Sequence, residues 1–433
     1  MKKLLRLKWL GALALLFVLA ACSPSDGDAA DTTEAAAPDT TEAEAEAAAP
    51  DTTEAAAPET TEPAPAEPIK IGMLTDLTST FAPWGVQVRD GMLMAAAEIN
   101  AAGGVDGRMI EIVQADSQND ADASAEALER LVEDGVVAVG GIISSGVGVP
   151  TAALAEELQI PLFMVKSGSD AVLTQDSRYS FRTCLPAAPM VAGPILQYAE
   201  EQGLTKVGAV IADYAWGQAV KGALETTFEG AAVGIQIEVA PVPPDTDFTP
   251  YLRALTEFGA EMIVSTGHPP GSGPITVLSQ DFLDVPIIGA WTPLSLVVGR
   301  LEQAAIGRYA DFSCADYVSP EYEEMARRYL AFSDNTFMSD DAVAGHGIVT
   351  MVADAVGAVG DDPTAIAEYL HGQTYDLEGY AHEMGWTAWG ELASAQPIIV
   401  VVTEGPAPEG VNEAGDWWVD LLVRSDPLEP YVP

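Results

Sequence analysis

The sequence is poor in positive charge, in cysteine and in histidine. Nineteen Lys and Arg stand against 65 Asp and Glu, a formal net charge of −46. Four of those cations, Lys2, Lys3, Arg6 and Lys8, crowd the first residues, so the rest of the chain is more one-sided still. Too few cations remain to neutralise phosphates, which argues against a nucleic-acid partner. The same deficit argues against charge-driven binding to an anionic membrane. The acidity reads as a solvated surface. Four histidines, His268, His346, His371 and His382, lie without metal-ligand spacing, and His382-Glu383 lacks the second histidine of an HExxH zinc site. No GxSxG elbow occurs either. No enzyme activity, cofactor or metal is expected. Of three cysteines, only two lie beyond residue 22, and spacing alone cannot pair them.

What is present begins with an export signal over residues 1–21. The four cations precede an apolar run, Trp9 to Ala21, that is too short to span a bilayer securely. It ends Leu19-Ala20-Ala21-Cys22-Ser23, which resembles the bacterial lipobox, so Cys22 is expected to carry lipid. Lipid chains anchor without spanning, and the membrane would be met only through them. Residues 22–68 then read as an acidic tether. The unit DTTEAAAP recurs at Asp31–Pro38 and Asp51–Pro58, with no aromatic residue, Lys or Arg in residues 23–68. Such a segment cannot bury enough surface to offset ordering entropy, and its prolines interrupt any helix the alanines would form.

The folded part is organised around GGIISSGVGVPTAALAEELQIPLFMVKSGS, Gly140 to Ser169. A short apolar strand at Val136–Val139 runs into Ser144-Ser145, ahead of a helical pattern at Val149–Leu158. A second strand, Pro161–Val165, opens into Ser167-Gly168-Ser169. In an open parallel sheet, ligands collect at the strand carboxyl ends, and a helix start offers free N–H groups to a carboxylate. Simple N-capping is the alternative for the serines. Upstream, strands at Lys70–Leu74 and Met109–Val113 alternate with helices at Val86–Asn100 and Ala121–Glu133. This order predicts an α/β fold with a parallel sheet covered on both faces.

The segment VRDGMLMAAAEINAAGGVDGRMIEIVQADSQNDADASAEALERLVEDGVVAVGG carries a specific resemblance. It is similar to the opening domain of the branched-chain amino acid type of ABC-transporter solute-binding protein, a type I periplasmic binding protein. The similarity continues through Phe181-Arg182-Thr183, Lys206–Val210, Tyr214-Ala215-Trp216-Gly217 and Thr246–Thr249, and fades after about Gly385. The resemblance implies two Rossmann-like parallel-sheet lobes joined by a three-segment hinge that closes on a ligand. Lobe one would be residues 69–187 plus 317–375, lobe two 188–313 plus 376–425, and 426–433 a tail. It implies a monomeric, exported, lipid-anchored receptor that hands a small molecule to an ABC permease. An extracellular sensor reporting to a separate signalling chain is the alternative.

The resemblance also implies a site. A ligand carboxylate would meet Ser144 or Ser145 and Ser167, Gly168 and Ser169. The ammonium of an amino acid usually meets an acid in lobe two, where this chain has Trp291, with His268 where an aromatic is common. Trp216 replaces the usual tyrosine, and Trp84 sits in the first loop. A pocket with Trp84, Trp216 and Trp291 suits an aromatic or apolar acid, or a cation on ring faces, with lobe packing as the alternative for each. Lys166 would either neutralise an acid ligand or remain solvated. The resemblance places Cys184 before the first crossing and Cys314 near the second, where a disulfide could staple the hinge. Two unpaired buried thiols are the alternative.

Overall fold

The central strands of the first sheet are short, almost wholly apolar runs, as expected where helices cover both faces. In the computed structural model, which describes residues 66–241, 246–266, 271–289, 294 and 302–433, these strands are β1 (Ile69–Thr75), β2 (Ile110–Asp116), β3 (Val139–Ile142), β4 (Leu162–Met164) and β5 (Ser180–Arg182). All are parallel, in the order β2-β1-β3-β4-β5. Three helices make the crossovers: α1 (Ala82–Ala101), α2 (Ala121–Glu133) and α3 (Ser145–Leu158). Asp120 caps α2 by accepting the Ala123 N–H at 2.8 Å. α1 stops where expected, because Gly104 takes φ +73° and a Cβ there would lie 2.1 Å from the Arg108 carbonyl.

The chain then crosses to a second sheet through α4 (Ala188–Glu201), β6 (Lys206–Ala212), α5 (Ala215–Phe228), β7 (Gly234–Ala240), α6 (Thr249–Phe258), β8 (Met262–Ser265), α7 (Ser272–Ser279), β9 (Ile287–Gly289) and β10 (Tyr309–Ser313). It returns through α8 (Pro320–Phe332), α9 (Asp340–Val359) and α10 (Pro363–His371) to the first lobe. A small antiparallel pair, β11 (Thr374–Tyr375) and β12 (Met384–Gly385), follows. Finally β13 (Ile398–Glu404) and β14 (Trp417–Arg424) complete the second sheet, ordered β14-β13-β10-β9-β8-β6-β7. β13 runs antiparallel to both neighbours, as a strand entering from the far lobe by a short connection can.

One boundary needs correction. The second lobe was expected to resume at residue 376, yet the chain up to Leu392 stays on the edge of the first sheet. Trp386 Nε1 donates to the Arg182 carbonyl at 2.7 Å and its ring lies 5.1 Å from that of Phe181. Arg182 N–H donates to the Gly390 carbonyl at 3.0 Å. The return to the second sheet falls near Pro397. The tail, residues 426–433, also folds back: the Tyr431 carbonyl accepts from Trp389 Nε1 at 3.1 Å, and the Pro433 carbonyl from Gln175 Nε2 at 2.7 Å.

α9 has the length and hydropathy of a membrane span, but 67% of its most apolar window is buried within the protein. It crosses α1 backbone to backbone. A Cβ on Gly91 would lie 2.1 Å from the Ala342 carbonyl, and one on Gly345 2.3 Å from the Val88 carbonyl. At the end of this contact Glu98 meets both Arg328 (2.9 Å) and His346 (3.0 Å). The His346 ring, then Arg328, hold the Glu98 carboxyl down to about 2. Gly345→Val should therefore force the helices apart and cost about 3 kcal/mol, read as a lowered denaturation midpoint. An unchanged midpoint would refute the close crossing.

Candidate functional site

The carboxyl ends of β3 and β4 bring the two hydroxyl loops side by side. α3 begins four residues earlier than its apolar pattern suggests, at Ser145, with Ser144 in the N-cap position. Ser144 makes no side-chain capping bond, so capping does not account for its hydroxyl. Ser144 and Ser145 are 8% and 1% exposed. Ser145 Oγ accepts the Ser169 N–H at 3.1 Å, and Ser167 Oγ donates to the Ser144 carbonyl at 3.1 Å. The loops are thereby laced together. Gly148 permits this, since a Cβ there would lie 2.3 Å from Ser167 Oγ. The Ser167 hydroxyl donates to backbone carbonyls of the neighbouring loop, those of Ile143 and Ser144.

Gly168 lies against Trp216, which opens α5 in the second lobe. A Cβ on Gly168 would lie 2.3 Å from the indole Cζ3. The second lobe thus touches the first at the loop between Ser167 and Ser169. Trp216 is buried, and its Nε1 has no hydrogen-bond partner among the described residues. Trp84 is also buried, its ring 5.4 Å from that of Phe81. The loop before it winds around Asp76, whose carboxylate accepts the N–H groups of Thr78 (3.2 Å), Ser79 (2.8 Å) and Phe81 (3.0 Å). Beside the Gly168–Trp216 contact a crevice of about 780 Å³ opens between the lobes, with Ser169 and Asp170 on one wall, Ala215 and Gln218 on the other, and Tyr431 at its edge. His268 and Trp291 lie outside the described residues.

Behind the loops is the hinge. Cys184 and Cys314 form a disulfide, with their Cα atoms 5.2 Å apart, so the two crossings are stapled and the free-thiol alternative falls. Asp340, at the first turn of α9, lies against it: its Oδ2 is 3.4 Å from the Cys314 backbone nitrogen and 2.7 Å from Lys166 Nζ. Asp341 Oδ1 is 3.8 Å from the same ammonium. Lys166 is therefore neither solvated nor reserved for an acid ligand. Cys184, Cys314 and Asp340 do bring potential ligand atoms within 4.8 Å, but sulfurs bonded to each other are not thiolates and do not hold a metal.

Sequence reasoning missed the buried charges. Arg182 is fully buried, pairs with Glu391 at 2.9 Å, and donates to the carbonyls of Ser167 and Ser169, the latter at 2.8 Å. The only sequence signal was the Phe181-Arg182-Thr183 string itself; its partner lies 209 residues away. For Asp340 and Asp341 the signal was a Ser339 N-cap followed by two acids, which reads equally as ordinary helix-start chemistry.

Two α/β lobes, joined by short crossings, meet at the strand-end loops, the kind of domain interface at which small-molecule sites occur. The chain belongs to the periplasmic binding protein family, whose profile matches residues 68–402. It is 24% identical over 336 residues to the leucine-, isoleucine-, valine-, threonine- and alanine-binding protein of Pseudomonas aeruginosa, covering 76% of this chain and 88% of that protein. Among solved structures it is similar to the branched-chain amino acid transporter substrate-binding protein LivJ of Streptococcus pneumoniae in complex with isoleucine. There the TM-score is 0.68 at 23% identity, over 82% of this chain and 99% of that one. It is similar too to an ABC-transporter solute-binding protein of Rhodopseudomonas palustris BisB5 in complex with 3,4-dihydroxybenzoic acid. That TM-score is 0.70 at 18% identity, over 83% and 98%. These relatives and neighbours are binding proteins, not enzymes. The chain is a member of the periplasmic binding protein family with the two-lobe fold of these neighbours.

The hinge charges make a pH prediction. Burial, opposed by the Lys166 charge, pushes the Asp341 carboxyl up to about 7. Burial pushes the His382 ring down to about 4, against a weaker pull from the backbone near Gln396. His382 takes a proton more readily unfolded, so its contribution is full above its unfolded pKa of 6.5 and is lost as pH falls toward 4. Asp341 is protonated more readily folded, so its contribution is full below 3.8 and is lost as pH rises through 7. The two slopes oppose each other between pH 5 and 6.5, each worth up to about 2 kcal/mol over that interval. In denaturation at both pH values, Asp341→Asn should gain stability with rising pH relative to wild type, and His382→Gln should lose it. Parallel changes in the two variants would refute the assignment.

Proposed function

We propose that this chain is the receptor of an ABC importer, anchored through lipid on Cys22 to the outer face of the cytoplasmic membrane. It captures a small carboxylate-bearing solute between the lobes by hinge closure and delivers it, as a monomer, to a membrane permease. The observation that carries this reading is the pair of laced loops at the ends of β3 and β4. There the hydroxyl of Ser144 stands at the start of α3 without a capping role, close to the Ser167–Ser169 turn, with Trp216 of the opposite lobe on Gly168. A helix start favours an anion through its free N–H groups and dipole. The ligands of the two fold neighbours, isoleucine and 3,4-dihydroxybenzoic acid, share a carboxylate and little else. Tryptophan at position 216 favours the aromatic or apolar acids among such solutes.

The test is a thermal-shift panel of leucine, isoleucine, benzoate and 3,4-dihydroxybenzoate, each beside its carboxamide. A bound solute at a hundredfold its dissociation constant adds about 2.7 kcal/mol of stability. The expected result is a shift with at least one acid and none with its amide, weakened about tenfold or more in Ser144→Ala, as for a lost hydrogen bond to a charged group. No shift with any acid, or equal shifts with acid and amide, would overturn the carboxylate reading.

A further inference from the structure

Two peptide groups of the ligand loop are oriented from behind. The carbonyls of Ser167 and Ser169 both accept from the guanidinium of Arg182, through Nη1 and Nη2. The third side of the fork, Nε, donates to Glu391 Oε2 at 2.9 Å. Glu391 is fixed in turn: its Oε1 accepts the Leu392 N–H at 3.1 Å. Arg182 and Glu391 are 0% and 1% exposed, so solvent does not screen these contacts. The planar, always-charged fork of arginine suits this triple task, and a lysine ammonium does not.

A trans peptide points its N–H opposite to its carbonyl. With the Ser167 and Ser169 carbonyls turned to Arg182, the N–H groups of Gly168 and Asp170 turn away from it. Neither has a hydrogen-bond acceptor among the described residues. Between them the Ser169 N–H is held by Ser145 Oγ at 3.1 Å, which fixes the turn from the α3 side. A cation on a carbonyl oxygen draws electron density from the same peptide and strengthens its N–H as a donor.

We infer that Arg182 and Glu391 are a positioning pair for the solute loop: they orient the Gly168 and Asp170 N–H groups as preformed donors and strengthen them for a carboxylate. The inference rests on the carboxylate reading above. Arg182 does not touch the solute; it acts through the peptides. Donors set in place before the anion arrives cost little reorganisation when it binds, and Glu391 keeps the guanidinium from being an uncompensated buried charge. The pair also explains why residues up to Leu392 stay with the first lobe: Glu391 is the far anchor of the ligand loop.

The test compares benzoate with benzamide, and leucine with leucinamide, by titration calorimetry on the full exported chain. The double variant Arg182→Met/Glu391→Leu removes both charges at similar volume, a change that buried pairs often tolerate. It should retain its unfolding transition, bind the acid about tenfold or more weakly, and lose its preference for acid over amide by a similar factor. Arg182→Lys should fall between. If the double variant does not fold, Arg182→Lys decides: a preference for acid reduced at least about threefold supports the pair, and an unchanged preference overturns it. Folded double variant with acid affinity within about twofold of wild type, or with acid and amide weakened in parallel, also overturns the inference. Failure of the broader reading looks different, since wild type itself would then bind neither acid, and the inference would fall with it.

Discussion

The disulfide between Cys184 and Cys314 is the constraint on which the rest of the architecture depends. It joins the first and second crossings, 130 residues apart in sequence, so the main part of the second lobe is a closed loop hung from one covalent point. Closing so long a loop removes conformational freedom mainly from the unfolded chain. In the folded chain it fixes two of the three crossings side by side. The third crossing, which enters β13 at Ile398, is bound to the first through Gly390, Glu391 and Trp386 on β5. All three crossings are thus tied together, the geometry that the proposed closure by rotation about them requires. That is the motion by which strand-end loops on two sheets approach and part.

Positive charge is scarce in this protein, and its placement is correspondingly informative. Of nineteen cationic residues, Lys166 and Arg182 are buried within the first lobe, each against carboxylates. Buried pairs of this kind contribute little net stability, because desolvation offsets much of the attraction. What they supply is geometry. Lys166 binds the start of α9 to the end of β4 next to the disulfide, and Arg182 binds the loop after β4 to the last crossing. Each therefore joins the carboxyl-end loops of the first sheet to the crossings between the lobes.

Much of this was legible in the sequence. Apolar strands alternating with amphipathic helices implied the parallel sheet of the first lobe, and the bounds of α2 match its periodic pattern. The start of α3 was not legible, because Ser145-Gly146-Val147-Gly148-Val149-Pro150 holds two glycines and a proline that weaken any helical signal. Tertiary contact decides it: the glycine at 148 is needed for Ser167 to reach the helix backbone. The placement of residues 376–392 was hidden for a related reason. That stretch has little periodicity, and its position is set by contacts across about 200 residues, such as Arg182 with Glu391. The site divides in the same way. Local sequence marked the serines and Trp216, but the partner of Lys166, 174 residues away, could not be read from neighbours in the chain.

The loop at Gly168 is where these constraints converge. Its carbonyls are held from behind by a guanidinium, its Ser169 N–H from one side by Ser145, and its open face is covered by the ring of Trp216. Only glycine leaves room for that ring, since any Cβ at 168 would overlap it. An indole against a backbone turn offers apolar surface that a flat apolar group could share. Under the proposed carboxylate reading, the same turn would offer its Gly168 and Asp170 N–H groups to the anion. Under that reading, a solute that satisfies both features has a carboxylate joined closely to a flat or compact apolar body, and a solute with only one of them leaves either the donors or the indole unmatched.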